Sequence, residues 1–312
     1  MNAQQLNVSV IDPISPAIER VKTILFRPFD LGKWFVIGFC AWLAYLGKGG
    51  GGGGPNMGPR GGPRHFRPDE AFYEAKEFVL ENLHWIIPAA VVAVFVGIIL
   101  WLVLTWLSSR GRFMFLHCVA QNKAEIKVPW TKFRRHANSL FLFRIVLGLI
   151  GFAAIGLPLL VVGLLIAMTI AGNGLRIVAV PGFLTIGLIV FAISIAFILV
   201  HRFTTDFVVP IMFLRTTSCT AGWREFLRLL SVNKARFVLY ILFQIVIAIA
   251  IGAIILAAVC VTCCCAACIL AIPYIGTVLI LPLLVFTRAY SLLYLRQYGP
   301  QFDVFIPEAE TA

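Results

Sequence analysis

The 312-residue chain is 60% hydrophobic, carries charge on only 13% of its residues and has a formal net charge of +12. Soluble domains have about 25% charged residues, so the composition excludes an ordinary soluble enzyme or binding domain. The chain has no recognisable nucleic-acid-binding motif, so its positive charge predicts attraction to anionic membrane lipid and no nucleic-acid partner.

Uncharged segments long enough to cross a bilayer dominate the chain. They are residues 85–107, 145–171, 177–200 and 237–287. A hydrocarbon core of about 30 Å needs about 20 helical residues, so the last segment must fold back as a hairpin. The pattern predicts an all-α integral membrane protein with about six transmembrane helices.

The predicted spans divide the chain into three regions. A cytoplasmic arm with an amphipathic helix occupies residues 1–30, a single polytopic membrane domain residues 31–300, and a cytoplasmic tail residues 301–312. The spans lie near residues 31–47, 85–107, 139–172, 177–200, 237–259 and 268–295, with a Gly/Pro-rich outer linker at 48–68. The uncharged part of the first span is short, so a re-entrant or interfacial helix is an alternative there.

Basic residues indicate the orientation of these spans. Of the 26 Lys and Arg residues, 20 fall in the N-terminal arm, the second and fourth loops, and adjoining span ends. Lys and Arg are enriched on the cytoplasmic side of membrane proteins. The sequence therefore predicts a plasma (inner) membrane protein with both termini in the cytoplasm.

Three predicted hairpins share one plan, in which a basic amphipathic helix precedes an apolar pair of spans. The second and third of these helices carry aromatic and basic residues at helical spacing. Such a helix can place its rings at the headgroup boundary and its arginines against lipid phosphates. The candidate lipid-interface residues are Trp130, Phe133, Arg134, Trp223, Phe226 and Arg228. The alternative is three unrelated loops that each follow the positive-inside pattern.

Charged residues near membrane depth are functional candidates by default. Arg144, Asp206 and Arg288 lie at the predicted cytoplasmic ends of spans. Asp206 can pair with Arg288 or Arg144, although all three side chains can also act as simple interfacial anchors. The predicted spans contain no Asp or Glu, which argues against a carboxylate proton relay.

Five cysteines cluster near the turn of the last hairpin, at positions 260, 263, 264, 265 and 268. Thiolates at such spacing can bind Zn²⁺ or Cu(I). However, the neighbouring residues are apolar and include no His or carboxylate, and small side chains suit close helix packing in lipid. We therefore predict a structural role, with no metal and no cofactor.

The two ends of the chain carry motifs that resemble a known type of protein. The segment Asp12-Pro13-Ile14-Ser15-Pro16 and the run from Arg288 to Pro300 resemble an uncharacterised family of prokaryotic multi-pass membrane proteins. The similarity covers roughly residues 12–300. The broader layout is similar to the membrane region that precedes some glycerophosphodiester phosphodiesterase domains. No phosphodiesterase catalytic domain is present, so the resemblance implies no enzymatic activity and no catalytic residues.

These observations predict a non-enzymatic integral membrane protein that organises membrane or interacts with lipid or protein. Its predicted partners are anionic lipids of the inner leaflet, together with proteins that the sequence does not identify. A small-solute transporter or channel is the second hypothesis, and a cysteine-dependent metal or redox protein is the third. No H-E-x-x-H or G-x-S-x-G motif is present.

The topology generates the first testable prediction. In a cysteine-free background, Ser218→Cys is expected to react with a membrane-impermeant thiol reagent only after the cytoplasmic side is opened. Gly54→Cys, in the outer linker, is the matched control and should react in intact cells. Labelling of position 218 from outside would contradict the predicted orientation.

Overall fold

The computed structural model describes residues 8–46, 82–170, 176–262, 265–270 and 272–305, and these residues form helices and connecting segments without a strand. The helices of the first half are α1 (Ile14–Val21), α2 (Leu31–Tyr45), α3 (Leu83–Gln121), α4 (Lys127–Lys132) and α5 (Arg134–Ile170). Those of the second half are α6 (Arg176–Phe203), α7 (Val209–Arg215), α8 (Cys219–Val232), α9 (Lys234–Val261), α10 (Cys265–Leu270), α11 (Pro273–Leu279) and α12 (Leu281–Arg296). The predicted outer linker, together with Cys263 and Cys264, lies outside the described residues.

Several helices are long and apolar enough to span a membrane. Four pass by length and composition: Leu83–Gln121, Arg134–Leu164, Leu184–Arg215 and Lys234–Val261. A fifth is counted if α11 and α12, which are bent by 64° relative to each other, form one broken span. The 15 residues of α2 are fewer than the roughly 20 that a bilayer core needs. Six spans are thus not confirmed, whereas the all-helical class with several apolar helices is.

Helix α3 shows how the long helices divide into two parts. Its 39 residues extend for about 58 Å, nearly twice the thickness of a hydrocarbon core. Side chains in its first part are exposed, including Trp85, Phe95 and Val103, whereas almost every residue from Thr105 to Ala120 is buried. The exposed part is suited to lipid contact. The buried part belongs to a packed bundle that also contains α1, α2, α4, α7, α8 and the buried parts of α9 and α12, and we refer to this bundle as the base.

Helix α2 packs antiparallel against the buried part of α3. Near one end, the Ser108 hydroxyl donates to the Ala44 carbonyl at 3.0 Å. Near the other, the Lys33 ammonium donates to the Asn122 side-chain oxygen at 2.8 Å. The two helices touch most closely at Gly111, where an added Cβ would lie 2.4 Å from the Ala44 nitrogen. The absence of a side chain at Gly111 therefore sets the distance between the two helices.

The N-terminal arm packs against the end of α3. Arg20 of α1 donates to the Ala120 carbonyl at 2.6 Å and so satisfies a free carbonyl at the end of α3. Burial lowers the pKa of the Arg20 guanidinium, and the neighbouring Asp303 partly offsets this effect.

The two terminal motifs identified in the sequence meet in the fold. Gln297 exchanges two hydrogen bonds with the backbone of Ser9, at 2.8 and 2.9 Å. The Tyr290 hydroxyl donates to the Val10 carbonyl at 2.8 Å. Two side chains of the closing motif, Gln297 and Tyr290, thereby bind the main chain of the arm and hold it against α12.

Stacked aromatic rings fill the centre of the base. The rings of Phe207 and Phe226 lie parallel, 5.3 Å apart, and Phe237 meets both edge to face. Tyr240 and Tyr294 extend the cluster toward α12. Offset and edge-to-face geometries are those that aromatic pairs prefer, so this cluster joins α8, α9 and α12 to the end of α6.

The three-hairpin repeat is not confirmed by these elements. The helices that precede the predicted hairpins differ in length, with eight residues in α1, six in α4 and 14 in α8. The repeat stays a prediction from the sequence pattern.

The contact at Gly111 generates the second prediction. Gly111→Ala should push α2 away from α3 and lower the free energy of unfolding by about 1–3 kcal/mol, the usual cost of overpacking. Thermal unfolding of the purified protein in detergent measures this change. Gly97→Ala on the same helix is the control, because its Cβ meets nothing within 4 Å. Equal stability of the two variants would show that the close approach does not limit packing.

Candidate functional site

Four arginines come together where the exposed helix segments join the base. They are Arg112 on α3, Arg144 on α5, Arg202 on α6 and Arg288 on α12, and we refer to them as the arginine cluster. Arg112 and Arg288 are only 4% and 6% exposed. A guanidinium carries five N–H donors and remains charged, so each one needs oxygen acceptors when it leaves water.

A π-helical turn at the end of α6 supplies several of those acceptors. Residues Thr204–Val208 form this turn between α6 and α7. Pro210 follows it at the start of α7 and has no N–H, so the ordinary bond to the Asp206 carbonyl cannot form. The wider turn accommodates the proline, and such turns are frequent at functional sites.

Thr205 of this turn joins two of the arginines. Its carbonyl accepts a hydrogen bond from Arg288 at 2.6 Å, and its hydroxyl accepts one from Arg112 at 2.9 Å. The same hydroxyl donates to the His201 carbonyl at 3.0 Å. Arg112 also lies 3.2 Å from the Nε2 atom of His201. One residue thus fixes arginines from α3 and α12 against α6.

Asp206 neutralises one member of the arginine cluster. Its carboxylate lies 2.8 Å from the Nε atom of Arg202, four residues earlier on the same face of the helix. The Tyr240 hydroxyl donates to Asp206 at 3.1 Å and accepts from Gln244, which in turn accepts from Arg202. The sequence pattern predicts Arg288 or Arg144 as the partner of Asp206. The structure corrects this pairing, because Arg202 lies one helical turn away and holds the carboxylate.

Arg144 has a different environment. Its Nη1 atom donates to the Thr105 carbonyl at 3.3 Å and to the hydroxyls of Ser108 and Ser109 at 3.2 and 3.1 Å. Among the described residues, no carboxylate forms an ion pair with it, and its Nε and Nη2 atoms donate no hydrogen bond. Arg144 therefore retains both charge and donors for another group.

Arg144 and Arg202 lie at the bottom of a cleft between α3, α5 and α6. The cleft has a volume of about 540 Å³, and Thr105 and His201 also line it. Its walls are apolar and include Trp101, Leu147, Ile155, Phe197 and Ile198. The cleft thus combines a cationic floor with walls suited to hydrocarbon.

Two glycines of α5 allow the aromatic walls to come close. A Cβ at Gly148 would lie 3.1 Å from the Trp101 ring, and one at Gly151 would lie 3.2 Å from the Phe197 ring. Both distances are tighter than ordinary contact, so the missing side chains permit flat rings on either side of α5.

The predicted lipid-interface residues near α4 divide into two groups. Trp130 is half-buried, and the Arg110 guanidinium lies over both its ring and that of Trp106, at 4.6 and 4.4 Å. Arg134 is exposed. Phe133 differs from the expectation, because it is 3% exposed and stacks on Phe213 inside the protein.

Helix α8 shows the same division. Trp223 is half-buried against Phe143, and Arg228 is exposed. Phe226 is fully buried in the aromatic centre of the base and does not reach the surface. The apolar stripe that predicted a lipid-facing side packs largely against α5, α7, the Thr204–Val208 turn and α9. A protein core and a lipid boundary accept the same apolar residues, so the stripe alone does not distinguish them.

The structure describes only part of the cysteine cluster. No group of three or more His, Cys, Asp or Glu side chains is placed to hold a metal ion in the parts of the chain that the structure describes. Burial raises the pKa of the Cys219 thiol to about 12, which keeps that thiol protonated at neutral pH. The role of the cysteine cluster stays a prediction, since Cys263 and Cys264 lie outside the described residues.

Comparison with known proteins gives one family match. A model described as "Family of unknown function (DUF7544)" matches residues 8–281. No curated protein and no solved structure matches the chain. The predicted membership of an uncharacterised family is confirmed, whereas the likeness to the region preceding phosphodiesterase domains stays a prediction.

The ion pair of Asp206 generates the third prediction. Asp206→Asn leaves the arginine cluster without a neutralising charge, so the free energy of unfolding should fall by roughly 3 kcal/mol. Chemical or thermal unfolding in detergent measures the loss. Glu19→Gln is the matched control, because Glu19 pairs with Lys22 on the exposed surface, where such pairs contribute little. Similar losses for both variants would contradict a neutralising role for Asp206.

Proposed function

This chain belongs to the family of unknown function DUF7544, and we propose that it is a non-enzymatic multi-pass membrane protein that binds anionic lipid at one membrane surface. In this proposal the exposed helix segments cross the bilayer. The helical base lies at the cytoplasmic face of the plasma (inner) membrane, with both termini on that side.

The observation that supports this proposal most strongly is the distribution of charge over the base. The helix ends that gather there carry many exposed basic side chains. They are Lys123, Lys127, Lys132, Arg134, Arg135, Arg215, Arg224, Arg228 and Lys234. Exposed acidic residues in the described part of the base are Asp12, Glu19 and Asp30. A basic surface beside apolar helices is suited to anionic headgroups.

The expected strength of this attraction is considerable. A basic residue near an anionic leaflet contributes about 1 kcal/mol, and the effect decays over a Debye length of about 8 Å at physiological salt. Several such residues on one surface can enrich anionic lipid around the protein without a specific site. Salt should weaken this enrichment, because the side chains are solvent-exposed.

The short helix α2 fits this arrangement as part of the base. Its contacts run along the buried part of α3, from Ser108 to Asn122, and not along the exposed apolar part. A helix of 15 residues in that position need not cross the bilayer, which favours the interfacial alternative for the first predicted span.

A transporter or channel is less well supported. Conduction needs polar groups through the depth of the membrane. The buried charges of Arg112, Asp206 and Arg288 lie in one layer with Arg202, and the cleft walls at Leu147, Ile155 and Ile198 are apolar. This distribution favours binding at one surface over passage across the membrane.

Lipid enrichment tests the proposal. The protein is extracted in polymer-bounded membrane discs from bilayers of phosphatidylglycerol and phosphatidylcholine, and the lipids are quantified by mass spectrometry. We expect at least a twofold excess of phosphatidylglycerol over the bulk membrane. The combined substitutions Arg134→Gln, Arg135→Gln, Arg224→Gln and Arg228→Gln should reduce this excess toward the bulk ratio.

The control carries Lys22→Gln and Arg296→Gln, which remove basic residues already paired with Glu19 and Asp303. It should retain the excess. A wild-type ratio equal to that of the bulk membrane would contradict anionic lipid binding.

A further inference from the structure

We infer that the cleft between α3, α5 and α6 holds one anionic phospholipid, with its headgroup phosphate on Arg144 and Arg202 and its acyl chains along the apolar walls. This inference rests on the proposed lipid interaction and adds a discrete site to it. The exposed basic surface attracts many lipids weakly, whereas the cleft would retain a single molecule.

The arginine cluster carries positive charge that the protein does not fully neutralise. The arginine cluster contains four guanidinium groups, and Asp206 is the carboxylate that the described residues provide for them, paired with Arg202. Isolated charges are costly in a low-dielectric environment, so an excess of cations favours the arrival of an anion. A phosphate group at the cleft floor would supply the missing negative charge.

Arg144 and Arg202 both keep N–H groups that the described residues do not use. Arg144 uses Nη1 for its three hydrogen bonds, and Arg202 uses Nε and Nη2 for Asp206 and Gln244. The Nε and Nη2 atoms of Arg144 and the Nη1 atom of Arg202 donate to no described residue. Guanidinium groups bind phosphate oxygens through such pairs of N–H donors.

The cleft floor lies where the apolar segments of three helices end. Arg144 comes directly before the uncharged segment 145–171, and His201 and Arg202 come directly after the uncharged segment 177–200. On α3, Thr105 lies where exposed side chains give way to buried ones. All three helices therefore change from apolar to polar at the cleft floor, which is the depth of lipid phosphates.

The volume and the lining of the cleft also suit a phospholipid. A volume of about 540 Å³ lies within the usual range of 300–1,000 Å³ for small-molecule sites. The flat rings of Trp101 and Phe197 and the side chains of Leu147 and Ile155 offer contact to acyl chains. A free phosphate ion would use the floor alone and leave these walls without a partner.

The excess positive charge also predicts which headgroup is preferred. A choline group would bring a second cation close to Arg144 and Arg202, whereas a glycerol headgroup would not. Phosphatidylglycerol is therefore expected to bind more tightly than phosphatidylcholine by about tenfold, which corresponds to 1.4 kcal/mol at 25 °C.

Native mass spectrometry tests this site directly. The protein is released from nanodiscs of phosphatidylglycerol and phosphatidylcholine, and the lipids that remain bound are counted. We expect one phosphatidylglycerol to persist on the wild-type protein. Arg144→Gln should reduce its retention at least tenfold, and Arg144→Lys should restore it only in part, because an ammonium lacks the planar pair of donors.

A second variant keeps the test independent of any folding defect at Arg144. Ile155→Trp fills the apolar wall and leaves every arginine in place, so it should also displace the retained lipid. Lys22→Gln removes a positive charge outside the cleft and should retain it. Retention by both Arg144→Gln and Ile155→Trp, or loss in Lys22→Gln alone, would overturn the proposal.

Two further binding measurements distinguish a phospholipid site from a site for a soluble anion. Inorganic phosphate and glycerophosphoglycerol are added to the delipidated protein, and both should bind at least tenfold more weakly than the intact lipid. Equal binding would assign the cleft to a soluble anion. A general excess of phosphatidylglycerol without a retained molecule would refute the cleft and leave the proposed function intact, whereas loss of both would refute the two together.

Discussion

The need to satisfy buried guanidinium groups governs the centre of this protein. An arginine removed from water keeps its charge and requires oxygen acceptors, and Thr205, Asp206, Ser108 and Ser109 provide them. Because these acceptors lie on different helices from most of the arginines, their hydrogen bonds hold α3, α5, α6 and α12 together at one layer. The π-helical turn at Thr204–Val208 is the local distortion that presents two of the acceptors.

The same layer separates two kinds of packing. On one side of this layer, aromatic rings such as those of Phe207, Phe226 and Phe237 fill the buried base. On the opposite side of this layer, the candidate spans are mostly exposed. In the most apolar 18-residue stretch of each span, between 0% and 11% of the residues are buried. Lipid chains are as apolar as leucine, so no hydrophobic force drives these segments together in a membrane. Clefts between them can therefore accommodate lipid at small cost.

Much of this arrangement could be predicted from the sequence. Uncharged runs located the long helices, and charges at membrane depth identified Arg144, Asp206 and Arg288, which the fold brings into one layer. The extension of α3 to Gln121 was missed because Arg110, Arg112 and His117 interrupt the apolar pattern. The partnership of Arg202 with Asp206 was also missed, although a spacing of four residues between opposite charges is a recognisable helical signal.

Other features could not be predicted from residue types alone. An aromatic stripe on a short helix suits both lipid and a protein core, so Phe133 and Phe226 were expected at the surface and lie inside. The cleft depends on how closely α3, α5 and α6 approach one another, which residue types alone do not specify. Neither Gly148 nor Gly151 indicates by itself that an aromatic ring from another helix will lie against it.

An experimental structure of the protein in phosphatidylglycerol nanodiscs would test the central claim most directly. The account predicts phosphate density about 3 Å from the free nitrogen atoms of Arg144 and Arg202, with chain density beside Trp101 and Phe197. A cleft closed by its own side chains, or one that contains only water while Arg144 turns to a protein carboxylate, would contradict it.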